Sequence, residues 1–208
     1  MSDPHNQRDG LAEKLADRIL LHAIGSAACS GLLLARPENI EHARFISGNL
    51  QSALRRRGAL VLYASLDRAT PAHSIISGVV YEAIQRLAGS CQAGAVPGAD
   101  EVVNSAAADP ENLVGIDRAV SLCSALVRLS ELSRRVIVII IDDAQQLQDT
   151  SKGQAMLYAL KAARDEINSS KHRGLRIVLS GVDKERLARL CRERDQAFYC
   201  APMIDIVI

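Results

Sequence analysis

Apolar and polar positions change rhythm repeatedly along the chain. Five short stretches are apolar at nearly every position: CSGLLLA (29–35), ALVLYASL (59–66), VIVIII (136–141), LRIVLSG (175–181) and MIDIVI (203–208). Runs of this length with no polar alternation read as strands buried on both faces. Between them the apolar residues recur at helical spacing. Residues 11–24 place Leu11, Leu15, Ile19 and Ala23 on one stripe. Residues 37–58 open with Pro37 and acids and close with Arg55, Arg56, Arg57 and Gly58, the charge order that suits a helix dipole.

Thr70-Pro71 caps a predicted helix to Leu87, with Ile76, Val80, Ala83 and Leu87 inward. Asp109-Pro110 repeats the device for a helix to Ser133, with Leu113, Ile116, Val120, Cys123 and Val127 inward. Two more helices are expected, at 153–168 (Met156, Leu160, Ala163 and Ile167 inward) and at 183–195. Residues 89–109 lack periodicity and are rich in small residues, which predicts a flexible loop. Continuously apolar strands alternating with helices require a parallel sheet covered on both faces and joined by right-handed crossovers. The expectation is one α/β domain over residues 1–208, three layers around a five-stranded parallel sheet.

Composition narrows the function classes. The 25 Lys plus Arg nearly cancel 24 Asp plus Glu, so net charge makes no case for nucleic acid or an anionic membrane. With no Trp, two Phe and four Tyr, base-stacking platforms have little to be built from. Five cysteines (Cys29, Cys91, Cys123, Cys191, Cys200) form no CxxC pair and read as reduced thiols. The polar N-terminus is not a signal peptide, and no apolar run approaches the ~20 residues of a membrane span. A cytoplasmic, soluble protein is expected.

In a doubly covered parallel sheet, chemistry gathers at the carboxyl ends of the strands. There the strand at 136–141 delivers Asp142 and Asp143, the strand at 175–179 delivers Ser180 and Gly181, and the first strand runs into ARPENIEH. Carboxylates straight after a buried strand need solvent, a cation or hydrogen-bond donors. They also serve simply to end the strand and cap the next segment, and from these two residues alone both readings stand.

VIVIIIDDAQQL, ALYALKAARDEIN and LRIVLSGVDKERLARLCRERDQAFY together resemble the later half of bacterial AAA+ ATPase domains, over roughly residues 130–205. Within that group they look most like a proteobacterial ATP-binding set, distantly related to the transposition and initiator-type ATPases. The resemblance implies a P-loop-NTPase-like fold, with Asp142 at the magnesium-supporting Walker B position. It puts Asp143 at the place of the catalytic glutamate and Ser180 at the sensor position. Arg192 and Arg194 become arginine-finger candidates, though a solvated helix face explains them equally well. Domains of this kind usually continue into a helical lid; here the expectation is a core without one.

A phosphate loop needs Gly-x-x-x-x-Gly-Lys-[Ser/Thr] between the first strand and its helix. The residues in register are Ala35, Arg36, Pro37, Glu38, Asn39, Ile40, Glu41 and His42. Neither glycine is present, so the backbone lacks the freedom to curl into an anion nest. Glu41 reverses the lysine's charge and His42 replaces the metal-binding hydroxyl. Glu38 and Glu41 set carboxylates in the field where a helix N-terminus ordinarily welcomes phosphate. Arg36, Arg44 or a protonated His42 would be the sources of positive charge for an unorthodox site.

The preferred expectation is a degenerate, non-hydrolysing AAA+-type domain, regulatory or scaffolding, acting through protein partners or in a homo- or hetero-oligomer, with no cofactor. The first alternative is an ATP hydrolase using Mg²⁺ at Asp142. The second is a DNA-associated module using Arg55–Arg57 and Arg134-Arg135.

Overall fold

The computed structural model describes residues 4–20, 31–92 and 121–207. Its centre is a five-stranded sheet of β1 (Leu32–Ala35), β2 (Leu60–Ser65), β3 (Ile137–Asp142), β4 (Leu175–Gly181) and β5 (Met203–Asp205). The order is β2-β3-β4-β1-β5 and every neighbouring pair is parallel. Leu60 stands beside Ile137 and Ile137 beside Leu175, while Ala35 lies between Gly181 and Asp205.

Alternate residues of each strand feed two separate cores. On one face Leu33, Leu62, Ile139, Ile141, Ile177 and Leu179 pack under α4 (Ala72–Gln92), α5 (Leu122–Ser133), α6 (Ser151–Ser169) and α7 (Lys184–Arg192). On the other, Leu34, Val61, Ile140 and Val178 pack under α1 (Pro4–Leu20) and the helix after β1. Ile137 through Ile141 are at most 1% exposed, and burying each such side chain is worth about 1.5–3 kcal/mol. That is why a run with no polar position settles on an interior strand, flanked by β2 and β4.

The helix after β1 has three parts: α2 (Ile40–Arg44), a π-helical stretch (Phe45–Leu50) and α3 (Gln51–Arg56). It starts at Ile40 with Asn39 as its cap, three residues later than Pro37 suggested. α1 is clasped along it by charge. Arg8 meets Glu41 at 2.5 Å, Arg56 and Arg57 both reach Glu13, and Arg57 meets Asp17 at 2.8 Å.

Other boundaries differ from expectation. α4 runs to Gln92, so residues 89–92 are helical rather than loop; the rest of the expected loop, and residues 110–120 of the expected helix, lie outside the described residues. α5 begins at Leu122, where the Ser121 hydroxyl caps the Ser124 N–H. Its buried face is Ala125, Leu126, Leu129 and Ser130, with Cys123 and Val127 only partly covered. Thr70 does not cap α4; its N–H and that of Ala69 are taken by the Asp67 carboxylate in the preceding turn. Among the described residues, no helix is long and apolar enough to cross a membrane.

Candidate functional site

Because β4 separates β3 from β1, their carboxyl ends deliver Asp142, Ser180-Gly181 and Arg36 side by side. The Arg36 N–H donates to the Gly181 carbonyl at 3.0 Å, which fixes where its side chain sets out. The guanidinium then reaches over to the acids. Nε donates to Asp142 Oδ1 at 3.1 Å, and Nη2 to Asp142 Oδ2 at 3.2 Å and to Asp143 Oδ1 at 3.3 Å. Arg36 is 8% exposed and Asp142 2%.

Two more donors complete Asp142. The Asp143 N–H reaches Oδ1 at 3.1 Å, and the Tyr63 hydroxyl, from β2, reaches Oδ2 at 3.1 Å. An ionised carboxylate offers about four lone-pair sites on its two oxygens, and all four are occupied here by protein donors. Asp143 sits in the left-handed region at φ 56°, which turns the chain out of β3 into a short 3₁₀ segment (Ala144–Asp149). From that segment Gln145 returns its Nε2 to Asp143 Oδ1 at 3.3 Å.

Burial sets the electrostatics. The Asp143 carboxyl is held above the usual carboxylate range, chiefly by desolvation and then by the neighbouring Asp142 charge, against the pull of Arg36. The Tyr63 phenol is pushed well above its ordinary value, first by burial and then by the Asp142 charge it faces. It therefore remains a donor through the whole neutral range.

The loop after β1 is organised around Asn39. Its Oδ1 accepts the His42 N–H at 2.9 Å and lies 2.7 Å from His42 Nδ1, so the helix start is capped internally. Ala35 is buried, and Glu38 and Ile40 are exposed. Glu41 has its carboxylate committed to Arg8 of α1. Arg36, one of three sequence candidates for a nucleotide-facing cation, spends its charge on the two aspartates. As arranged, these residues do not fit a magnesium-bound triphosphate: Mg²⁺ takes carboxylate oxygens in octahedral geometry, and Asp142 has none to spare.

Three buried polar atoms near the strand ends have no partner among the described residues: Ser180 Oγ, Gln145 Oε1 and His42 Nε2. Gly181 leaves room for Gln145, whose Oε1 would stand 2.1 Å from a Cβ placed there. Arg192 and Arg194 are exposed around the end of α7 and form no ion pair with the acids. Among the described residues, no group of three or more His, Cys, Asp or Glu is placed to hold a metal. Sequence reasoning missed Tyr63 and Gln145. Tyr63 is marked in the sequence as a large polar-tipped side chain inside an otherwise mostly aliphatic strand; nothing local marked Gln145.

No family model matches this chain, and no curated protein sequence does. Solved structures do. The Aeropyrum pernix ORC2 protein, solved in ADPNP and ADP complexes, is 14% identical and matches 99% of this chain with a TM-score of 0.50. A Walker-type ATPase of Pyrococcus abyssi is 14% identical and matches 100% of it with a TM-score of 0.54. The chain spans 48% and 54% of those proteins' lengths. At such identity the likeness is one of architecture: this is an α/β chain with the AAA+-like, five-stranded parallel fold of the Walker-type ATPases.

Proposed function

We propose that this domain is a degenerate AAA+-type ATPase domain that does not hydrolyse nucleotide and acts through protein contacts, as a regulatory or scaffolding partner. The observation that carries this reading is the saturated Asp142 carboxylate. Arg36 supplies, from within the chain, the positive charge that a bound metal would otherwise bring to the Walker B position. Glu41, held by Arg8, places a negative group where the loop of an active ATPase needs a lysine. Displacing Arg36 would strip a buried carboxylate of two donors at once, a cost of several kcal/mol that nucleotide binding would have to overcome. Calorimetric titration with magnesium and ATP tests it: no heat at millimolar ligand is expected, and micromolar binding or phosphate release sinks the reading.

A second reading, a module that docks on DNA, draws support from the other end of the sheet. The register sets the starts of β2, β3 and β4 side by side. Arg55–Arg57 precede the first, Arg134 and Arg135 the second, and Lys171, His172 and Arg173 the third. Neighbouring strands lie about 4.8 Å apart, so the basic band is roughly 10 Å wide. Arg56 and Arg57 are engaged by α1, but Arg134, Lys171 and Arg173 are exposed and make no ion pair among the described residues.

Arg134 is the C-cap of α5, and Lys171 and Arg173 follow just beyond the end of α6. No large exposed apolar side chain lies among them, which favours phosphate contacts over an apolar anchor. Anisotropy titration of a labelled duplex is the test. About four phosphate contacts would give a log–log salt slope of roughly −3.6, and Arg134→Ala with Arg173→Ala would flatten it. A salt-independent or absent signal removes this reading.

A further inference from the structure

We infer that Cys191 and Cys200 form a two-thiol site that closes reversibly to a disulfide by exchange with a small disulfide such as oxidised glutathione. Two successive turns after α7, closed by Gln196 N–H to Glu193 and Tyr199 N–H to Gln196, bring the chain back over the helix end. There the Cys200 N–H donates to the Cys191 carbonyl at 2.9 Å, satisfying one of the carbonyls that a helix C-terminus leaves without an intrahelical partner. A single bond of 2.9 Å leaves their Cα atoms no more than about 6.8 Å apart by standard backbone dimensions, within the reach of a disulfide, which spans roughly 4.4–6.8 Å.

A second observation is independent of that contact. Cys200 holds φ at 63°, a left-handed conformation that a residue with a Cβ adopts at a cost of about 1–2 kcal/mol. The turn keeps that conformation because its neighbours are anchored. Phe198 is fully buried beneath Arg164, whose guanidinium carbon lies 5.8 Å from the ring centre, and the Ala201 N–H is taken by the Phe198 carbonyl. Cys200 is therefore presented at the surface by a fixed loop, not left on a loose one. The two thiols also differ in access, Cys200 being exposed and Cys191 half-buried with its Sγ against the Ala188 carbonyl.

That asymmetry sets the order of events. The exposed Cys200 thiolate attacks one sulfur of oxidised glutathione, breaking its S–S bond and releasing one glutathione thiolate. Cys191 then gives its proton to solvent and attacks Cys200 Sγ, and the second glutathione thiolate leaves. Two protein thiols are oxidised and one glutathione disulfide is reduced to two thiols. Burial pushes the Cys191 thiol up, and Cys200 itself contributes to that rise, which lowers the thiolate fraction available for the second step.

The test uses the full chain and oxidised glutathione. Trypsin cuts after Arg189, Arg192 and Arg194, which separates Cys191 (residues 190–192) from Cys200 (residue 195 onward). The expected product is these two peptides joined, with ring closure at least about tenfold faster in native buffer than in urea, because the fold supplies the effective concentration. Cys191→Ser is expected to leave Cys200 as a stable glutathione adduct. Closure no faster in native buffer than in urea, a wild-type reaction that stops at the adduct, or a cross-link to Cys123 instead overturns the inference.

Discussion

The Arg36 guanidinium lies along both carboxylate oxygens of Asp142, with Nε 3.1 Å from one and Nη2 3.2 Å from the other, and the pair is closed off from solvent. A pair so placed is weak evidence for stability in itself, since an apolar pair of like volume serves about as well. Removing one member is another matter. Arg36→Met is expected to cost about 3–5 kcal/mol in urea unfolding, while Arg36→Met with Asp142→Leu recovers most of that loss. Equal losses in the single and double variants would show that the two residues do not act as a unit.

Tyr63→Phe deletes one of the four donors to Asp142 and is expected to cost about 1.5–3 kcal/mol, the range for a hydrogen bond to a charged group. The phenol also sets a pH limit. Its folded value lies above its unfolded one, so the folded state keeps the proton longer and stability falls as pH rises above the ordinary tyrosine value of about 10. Alkaline absorbance titration should show one of the four tyrosines ionising only as the protein unfolds, and Tyr63→Phe should abolish that step.

Asp143 runs the same way at a lower pH. Its carboxyl is raised, so the folded state binds the proton more tightly, and stability declines as pH climbs past the ordinary aspartate value of about 4. Asp143→Asn removes the charge, keeps the Oδ1 acceptor for Arg36 and Gln145, and suits the left-handed backbone. The variant should unfold at higher urea than the wild type near pH 7 and with no such advantage near pH 3. A gain of equal size at both values would assign the effect to the backbone and not to the charge.

Two glycines should respond oppositely to alanine. Gly78, inside α4, has nothing within 4 Å of an added Cβ, so Gly78→Ala should stabilise by about 0.5–1 kcal/mol through helix propensity. Gly153, in the first turn of α6, would set its Cβ 2.2 Å from the Leu147 carbonyl oxygen, which is backbone and cannot swing aside. Gly153→Ala should therefore destabilise despite the same propensity gain, and thermal melts of the two variants separate the effects.

The sheet was legible because VIVIII leaves no solvent face and the helical stripes at Ile76/Val80/Ala83 and Met156/Leu160/Ala163/Ile167 leave only one buried face each. That Asp142, Ser180 and Arg36 share one edge of the sheet followed from parallel topology; that they adjoin depends on the order β3-β4-β1, which the pattern did not supply. What Arg36 does there was not legible. Its sequence neighbours are Ala35 and Pro37, and its partners Asp142 and Asp143 are more than a hundred positions away. The same applies to Glu41, whose charge is balanced by Arg8 of a helix that the periodicity alone could not orient. Distant charge partners leave no trace in local pattern, whereas burial does.

The π-helical stretch at Phe45–Leu50 governs the loop before it. A π turn accommodates about one residue more than an α turn, so everything on its N-terminal side is rotated by about 100° relative to a uniform α-helix. Deleting a single residue from this stretch would unwind that offset. His42 would swing out of the interior, Glu41 would leave Arg8, and the Asn39 cap would face a different edge of the sheet. The wide turn thus acts as the angular setting of the first strand's exit, fixing which side chains the rest of the domain can reach.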